Sequence, residues 1–363
     1  MSRSADAVGR SARDCFGVAP QGRDMFPFPR LVSVVVFCVG LQLMPSHAAD
    51  RDSKPPNILF AFADDQSWLH TSLNGCPTVR TPHFDRVARE GVSFTHCFSA
   101  CPSCTPSRSA VLTGQDIWRL EQAGVLNGSI PQSTPLFPLQ LADNRFYVGY
   151  NGKGWVPDDA AALGLKRYPI GTEHNTARNR FVVAGLNGQD YAANFEQFLA
   201  DRPDDKPFFF WFGCKEPHRV HEDGIGKRLG KKTRDVRLPK FFPDHTVIRS
   251  DLLYYCAEIE YLDQQLGQML HQLEQLDELD NTIVVVTSDN GMPFPRCKTT
   301  LYDWGVRMPL AIRWKQIPGG RTVDDFFLLT DLAPTFLQAA ELPIPAATTG
   351  KSLLPLLTST KQG

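Results

Sequence analysis

The 363-residue sequence predicts an α/β fold, a three-layer α/β/α sandwich around a central, mostly parallel mixed sheet. Three segments, 57–63, 208–213 and 282–287, are apolar throughout, which is typical of strands buried on both faces. Helical patterns separate them, as in a parallel sheet whose crossovers cover both faces. Hydrophobic residues make up 42% of the chain, which is enough for a large core and excludes disorder as the dominant state.

Two helices are predicted after the first strand. The first spans 82–90, with Thr81 as its N-cap, Pro82 in the first helical position and Gly91 just beyond its end. The second is predicted to begin at Cys104, because a proline two residues later suits a first helical turn.

A long helix is predicted over 250–276, between the second and third apolar strands. Its apolar residues recur at intervals of three and four, which places them on one buried face. A fourth strand is predicted over 309–314, and a last helix from Thr330. The buried face of the long helix consists of Ile259, Leu262, Leu266, Met269, Leu273 and Leu276.

The first 49 residues are predicted to be an N-terminal extension with an export signal. Segment 31–43 is apolar, follows Arg30 and precedes small residues at the spacing of a cleavage site. A spanning helix needs about 20 apolar residues, so we expect no stable membrane span. The protein is expected to be exported, periplasmic or secreted, with one folded domain over 50–363. Translation from Met25 would give a more compact signal.

The charge of the chain is nearly balanced. A net charge of −1 excludes the strongly basic footprint of a nucleic-acid-binding protein, so no nucleic-acid partner is expected. Segment 227–240, KRLGKKTRDVRLPK, departs from this balance. We interpret it as a solvated loop, with a patch that steers an anionic substrate as the alternative.

Polar residues directly follow two of the apolar strands. Asp64 and Asp65 come after the first strand, and Asp289 and Asn290 after the third. Each pair alone is typical of a turn. Because ligands of open α/β sheets bind outside the carboxyl ends of the strands, we expect the four side chains to converge. Their hard oxygen atoms suit Ca²⁺ or Mg²⁺.

Segment 104–108, Cys-Thr-Pro-Ser-Arg, is the strongest chemical signal in the chain. The free N–H groups and the positive dipole at the start of a helix favour a negatively charged group there. Arg108, one turn after Cys104, would present its guanidinium to the same point. A structural cysteine at a capped helix start is the alternative for this segment alone.

Together with TPHFDRVAREG at 81–91 and GKSLLPLL at 350–357, this segment resembles the type I sulfatases. The resemblance covers 57–357 and implies the alkaline-phosphatase-like fold and, in a eukaryote, a lysosomal location. Within the family it is most similar to the heparan N-sulfatase branch, on the evidence of TSDNGMPFP at 287–295, Leu301-Tyr302 and EPHR at 216–219.

The resemblance implies hydrolysis of the sulfate group of a sulfated saccharide, of the N-sulfoglucosamine type. A sulfate-ester sulfatase acting on another polysaccharide is one alternative. A phosphodiesterase or phosphonate hydrolase of the same superfamily is a second alternative. A non-catalytic, glycan-binding pseudo-sulfatase is the third.

The resemblance also implies a role for each candidate residue. Cys104 would be oxidised to formylglycine by a maturation enzyme, and the hydrated aldehyde would attack sulfur. Arg108 would hold the hydrate, and His218 would protonate the leaving group. Lys153 and Lys298 would clamp the sulfate oxygens. One Ca²⁺, acting as Lewis acid and template, would be held by Asp64, Asp65, Asp289, Asn290 and the modified Cys104.

Two features depart from the family pattern. A histidine is expected two positions after Lys153, but Trp155 stands there, and its indole N–H can only donate. Either His174 or another group substitutes, or turnover is slow, or activity is lost. Family members also continue into a small C-terminal subdomain that helps to shape the substrate pocket, and we expect that subdomain to be truncated here.

Overall fold

The computed structural model describes residues 54–360 apart from 156–159, 162–163, 166, 181–185, 220 and 222–223. The predicted export signal and the alternative start at Met25 lie outside the described residues. The strands are β1 (Asn57–Ala63), β2 (Val92–Phe98), β3 (Tyr147–Gly152), β4 (Thr172–Glu173), β5 (Phe208–Gly213), β6 (Thr282–Ser288), β7 (Arg307–Arg313) and β8 (Arg321–Leu328). They form one eight-stranded sheet in the order β4-β3-β5-β1-β6-β7-β2-β8.

The sheet is mixed and mostly parallel, as predicted. β1 runs parallel to β5 on one side and to β6 on the other, whereas β7 runs antiparallel to β6 and β2. β1 and β6 pair without a register shift, from Asn57 opposite Thr282 to Ala63 opposite Ser288. The residues that follow these two strands therefore leave the sheet side by side.

Helices cover both faces of the sheet, which confirms the three-layer sandwich. They are α1 (Pro82–Glu90), α2 (Cys104–Thr113), α3 (Phe137–Asp143), α4 (Tyr191–Asp201), α5 (Ile225–Arg228), α6 (Thr246–Gln275), α7 (Asp303–Val306), α8 (Leu332–Ala339) and α9 (Leu354–Thr358). Phe60 of β1 packs in a cluster with α2, α3, α8 and α9. Leu59 belongs to the opposite cluster, with α1, α4 and α6. Within the described ranges, no helix is both long and apolar enough to cross a membrane.

The predicted elements are confirmed, with small shifts in their ends. α6 begins at Thr246 rather than at residue 250, and α8 follows a short 3-10 turn. Leu276, predicted on the buried face of the long helix, is 52% exposed, because α6 ends at Gln275 before it. Thr81 precedes α1 as predicted, but its side chain does not cap the helix. The carboxylate of Asp263 on α6 does so instead, because it accepts the N–H groups of His83 and Phe84 at 3.0 and 2.7 Å. A tertiary contact replaces the predicted local one.

Four strands, β2, β3, β4 and β8, were not predicted because none of them is uniformly apolar. β2 alternates between buried and half-buried residues, and β3 contains two glycines. β8 lies at the edge of the sheet, where Asp324 and Asp325 are exposed. Strands at or near an edge are solvated on one side and need no apolar residue there.

Phe60→Ala tests the position of the main core. The ring centroid of Phe60 lies 5.0 Å from that of Trp211 and 5.5 Å from that of Phe336. Loss of the ring leaves a cavity, so we expect the free energy of unfolding, measured in urea, to fall by about 3–5 kcal/mol. The matched control is Phe326→Ala, because Phe326 is 75% exposed, and its effect should stay within about 0.5 kcal/mol. Equal losses in the two variants would contradict this assignment of the core.

Candidate active site

Several strand ends and one helix start meet at the carboxyl edge of the sheet. Ligand atoms of Asp64, Asp65, Cys104 and His218 all lie within 4.8 Å of one another. The sheet topology explains this, because parallel neighbours end at the same edge. The residues brought to it are Asp64 and Asp65 after β1, Lys153 after β3, His218 after β5, Asp289, Asn290 and Lys298 after β6, and Cys104 at the start of α2.

The junction of β1 and β6 holds the carboxylates together. The N–H of Asp65 donates to Oδ1 of Asp289 at 3.0 Å, and Nδ2 of Asn290 donates to Oδ1 of Asp65 at 2.6 Å. Asp65 has a left-handed φ of 75°, a conformation that aspartate tolerates better than most residues. The chain therefore bends sharply directly after β1, and the acidic pair stays beside the end of β6.

Cys104 is the first residue of α2, and its buried thiol lies among charged groups. The thiol donates to Oδ1 of Asp64 over 3.4 Å, and Nζ of Lys298 donates to its Sγ at 3.0 Å. Burial, followed by the negative charges of Asp289 and Asp64, raises the pKa of the thiol to about 12. The unmodified thiol is therefore neutral at physiological pH.

Arg108 is fully buried and joins three elements of the site. Its Nε donates to Oδ2 of Asp289 at 2.8 Å, and its Nη1 donates to the backbone carbonyls of Lys153 and Gly154 at 2.9 and 3.0 Å. Its Nη2 lies 3.8 Å from Oδ1 of Asp64 and makes no hydrogen bond within the described part of the chain. Arg108 therefore fixes α2 against the ends of β6 and β3 and keeps one donor available.

Two lysines and a histidine lie against the carboxylates of Asp64 and Asp65. Nζ of Lys153 donates to Oδ2 of Asp64 at 2.5 Å, and Nζ of Lys298 donates to both carboxylate oxygens of Asp65 at 2.6 and 2.8 Å. Nε2 of His218 lies 3.8 Å from Oδ2 of Asp65. The backbone of Lys153 is held close to β5, since a Cβ atom on Gly213 would lie only 1.9 Å from the carbonyl oxygen of Lys153.

The two adjacent aspartates have opposite pKa shifts. Burial opposes ionisation of Asp64, but the charges of Lys153 and Arg108 outweigh burial and lower its pKa. For Asp65, burial and the charges of Asp64 and Asp289 raise the pKa to about 6. Arg108, Lys153 and Lys298 each pair with one of the three carboxylates, but the pKa of Asp65 is still raised, so a further positive charge beside it would stabilise its ionised form.

The cluster has the composition of a hard-cation site. Asp64, Asp65, Asp289 and Asn290 offer carboxylate and amide oxygens, the ligands that Ca²⁺ and Mg²⁺ prefer. Oδ1 of Asn290 is buried and has no hydrogen-bond partner among the described residues. A buried amide oxygen without a partner is costly, and a cation would satisfy it. The residues present therefore fit a divalent cation.

The sequence model of the Sulfatase family matches residues 56–342. The chain belongs to the sulfatase family. It is 29% identical over 342 residues to human N-sulphoglucosamine sulphohydrolase, and the match covers 84% of this chain but 66% of that protein, just under two thirds of its length. N-acetylglucosamine-6-O-sulfatase from Bacteroides thetaiotaomicron is 24% identical, with 85% of this chain and 72% of the relative covered.

Solved structures share the fold of this chain. The structure of BT4656 in complex with its substrate D-glucosamine-2-N,6-O-disulfate has a TM-score of 0.64 and 22% sequence identity. The match covers 85% of this chain and 81% of that one. The predicted fold class is therefore confirmed.

Trp155, which stands where sulfatases are expected to have a histidine, is a core residue in this chain. Its side chain is fully buried, and its Nε1 donates to Oγ of Ser109 on α2 at 3.0 Å. His174 does not join the site, since its ring packs on Phe198 and lies 3.8 Å from Asp201 at the end of α4. The structure therefore does not support His174 as a substitute for the expected histidine.

Three supporting residues were not singled out from the sequence. Oγ of Ser107 donates to the backbone carbonyl of Asp289 at 2.5 Å. The backbone carbonyl of Glu216 accepts the N–H of Asp64 at 3.2 Å, and its buried carboxylate accepts the hydroxyl of Tyr191 at 2.8 Å. Ser107 and Glu216 lie within the motif segments 104–108 and 216–219, and this position is the sequence signal that could have identified them. Tyr191 reaches the site only through folding, and no sequence signal marks it.

Arg108→Gln tests whether Arg108 holds the site together. Glutamine cannot replace the contacts to Asp289 and to two carbonyls, so a buried carboxylate loses its partner. We expect the free energy of unfolding to fall by about 3–5 kcal/mol in denaturant titrations. Arg145→Gln is the control, because Arg145 and its partner Asp205 are mostly exposed, and its cost should stay below about 1 kcal/mol. Similar costs for the two variants would contradict the positioning role.

Proposed function

We propose that this chain hydrolyses the sulfate group of a sulfated saccharide, with N-sulfated glucosamine preferred. The observation that carries the proposal is the convergence of Cys104 and three cations on one cluster of carboxylates, in a chain that belongs to the sulfatase family. A sulfate group presents several oxygens on which charge develops during transfer. Their stabilisation calls for several preorganised cations at one point.

Lys153 and Lys298 are assigned to the sulfate oxygens. Their side chains are 16% and 18% exposed, so a substrate can reach them, and each is oriented by a buried aspartate. His218 is 41% exposed and is the most accessible group of the cluster. It is assigned as the acid that gives a proton to the leaving amine or alcohol.

Cys104 is assigned as the nucleophile after its oxidation to formylglycine by a maturation enzyme. A hydrated aldehyde at this position would attack sulfur and divide the hydrolysis into two easier steps. The groups around Sγ suit such a hydrate, because Asp64 accepts a hydrogen bond there and Lys298 donates one. The unpaired Nη2 of Arg108 supplies a further donor.

Asp64, Asp65, Asp289 and Asn290, with the modified Cys104, are assigned as ligands of one Ca²⁺. A bound Ca²⁺ would supply Lewis-acid polarisation and a template for the sulfate group. The unpaired Oδ1 of Asn290 supports this assignment. With the carboxylates balanced by a cation, the lysines that now pair with Asp64 and Asp65 are available to a sulfate.

The preference for an N-sulfated sugar follows the relative named N-sulphoglucosamine sulphohydrolase. The relative named as a 6-O-sulfatase motivates the alternative, a sulfate ester of a sugar. The buried Trp155 motivates a second alternative, a pseudo-sulfatase that binds glycans without turnover. Export to the periplasm or the exterior, or to the lysosome of a eukaryote, belongs to the proposal and rests on segment 31–43.

The assay measures sulfate release from N-sulfoglucosamine and from glucosamine 6-sulfate. The protein is coexpressed with a formylglycine-generating enzyme and supplied with Ca²⁺. We expect faster release from the N-sulfated sugar, and complete loss of release in Cys104→Ala. Cys101→Ala is the matched control, because Cys101 lies three residues earlier and outside the cluster, and its activity should be retained.

The outcomes of this assay separate the alternatives. Sulfate release only from glucosamine 6-sulfate would agree with the proposed mechanism but contradict the proposed preference for an N-sulfated sugar. If a phosphonate ester is hydrolysed in preference to both sugars, the alternative of a phosphodiesterase or phosphonate hydrolase of the same superfamily is favoured. No release by protein in which mass spectrometry shows conversion of Cys104 would contradict the proposal and leave the pseudo-sulfatase.

Ca²⁺ is expected to stabilise the folded chain. At a free concentration 100 times its Kd, Ca²⁺ adds about 2.7 kcal/mol to the stability, seen as a higher midpoint of thermal unfolding. Asn290→Ala removes one proposed ligand and should reduce the shift between Ca²⁺ and chelator. Asn144→Ala, at an exposed asparagine after α3, should leave the shift unchanged. Absence of any shift in the unsubstituted protein would overturn the metal assignment.

A further inference from the structure

The segment 227–240, called the basic strip below, carries an unusual concentration of positive charge. It contains seven lysine or arginine residues and one acidic residue, Asp235, in a chain whose net charge is −1. The proposed catalytic chemistry uses none of these residues. Six of the seven cations are exposed: Lys227, Arg228, Lys232, Arg234, Arg237 and Lys240.

The basic strip is not an unanchored loop. Ile225, just before it, and Val236 within it are buried in a cluster with the amino-terminal half of α6. Lys231, the half-buried cation, donates to the carbonyl of Thr78 at 2.8 Å and pairs with Glu260 of α6. The apolar residues and Lys231 thus hold the segment on α6. The other cations remain at the surface in a defined arrangement.

A cleft lies between Arg219 and the first residue of the basic strip. Its volume is about 690 Å³, within the range of roughly 300–1,000 Å³ that is typical of ligand sites. Arg219, which directly follows His218, lines this cleft together with Lys227. The guanidinium of Arg219 lies over the ring of Phe294 at 4.6 Å, in the loop that also carries Lys298. The cleft therefore extends from the residue that follows the proposed proton donor to the basic strip, and Asp251, the ion-pair partner of Arg219, also lines it.

A second, smaller cleft lies at residues 229–232, directly after α5. It is lined by Lys231 and Lys232 of the basic strip and by Arg80, which precedes α1. The clefts also contain acidic side chains: Asp251, which pairs with Arg219, lines the larger one, and Glu260, which pairs with Lys231, lines the smaller one with Asp235. Lys227, Lys232 and Arg80 have no ion pair among the described residues, and together with the basic strip they form a positively charged path along this side of the chain.

We propose that this path binds a sulfated saccharide chain, so that the substrate is an oligo- or polysaccharide rather than a single sugar. The inference rests on the proposed function and names its substrate class. A polyanion that extends from the reacting residue would meet Arg219 and Lys227 first, and Lys232 and Arg80 further along. Electrostatic attraction of this kind raises both the association rate and the affinity.

The chemistry favours a glycan over a nucleic acid. Binding of single strands relies on aromatic side chains that stack with bases, and the basic strip contains none. A glycan needs only sulfate- and carboxylate-binding cations with hydroxyl-binding polar groups in the clefts. Thr246, Ser250 and Thr78 line the clefts and supply such groups.

The test measures binding of a size-defined heparin oligosaccharide to full-length Cys104→Ala protein, which cannot turn the ligand over. The strip variant combines Arg80→Gln, Lys227→Gln and Lys232→Gln. We expect it to raise the Kd about tenfold or more and to weaken the salt dependence of binding. In the active protein, the same changes should raise KM for the oligosaccharide more than KM for N-sulfoglucosamine.

A matched control removes three exposed cations from the opposite edge of the sheet. Lys54 precedes β1, Arg145 precedes β3 and Lys315 follows the antiparallel strand β7. The triple variant Lys54→Gln, Arg145→Gln and Lys315→Gln changes the net charge equally. It should leave the Kd for the oligosaccharide within about twofold.

Each outcome bears on one proposal separately. Equal weakening by the two triple variants would overturn the strip, because only net charge would then matter. Binding of a DNA oligomer as tightly as heparin would overturn the glycan assignment. Strip-dependent heparin binding without sulfate release by the converted protein would support the strip and contradict the proposed hydrolysis. Sulfate release, together with equal oligosaccharide binding by the two triple variants, would support the proposed hydrolysis and contradict the strip.

Discussion

The buried contact between Arg108 and Asp289 is the interaction on which the rest of the site depends. It joins the first turn of α2 to the end of β6, and the same guanidinium holds the backbone at Lys153. Without it, an arginine and an aspartate would each remain charged in a region that excludes water. The contact therefore places the nucleophile candidate, the metal-ligand candidates and one candidate sulfate-binding lysine in a single arrangement.

α6 has a comparable role on the outer face of the sheet. Its carboxyl-terminal half packs on β1, β5 and β6, and Asp263 near its middle caps α1. Its amino-terminal half supports the basic strip and carries Asp251, which pairs with Arg219 beside the active site. One long helix thus packs against both the basic strip and the sheet that bears the candidate catalytic groups.

The replacement of the expected histidine by Trp155 changes packing as well as chemistry. Its indole ring fills core volume beside α2 and donates to Ser109, so the space is not available to another side chain. Among the clustered side chains, His218 is the most exposed, at 41%.

The sequence by itself determined the central strands, the main helices and the residue types of the candidate site. Uniformly apolar segments identify β1, β5 and β6, and the Cys-Thr-Pro-Ser-Arg segment with two acidic strand ends identifies the candidate site, because these signals are local. Only the tertiary structure decided what depends on distant residues. The edge strands, the cap that Asp263 provides, the burial of Trp155, the exclusion of His174 and the path from Arg219 to Arg80 all arise from contacts between segments far apart in the chain. Periodicity and motif spacing carry no information on such contacts, since these follow from how the layers pack.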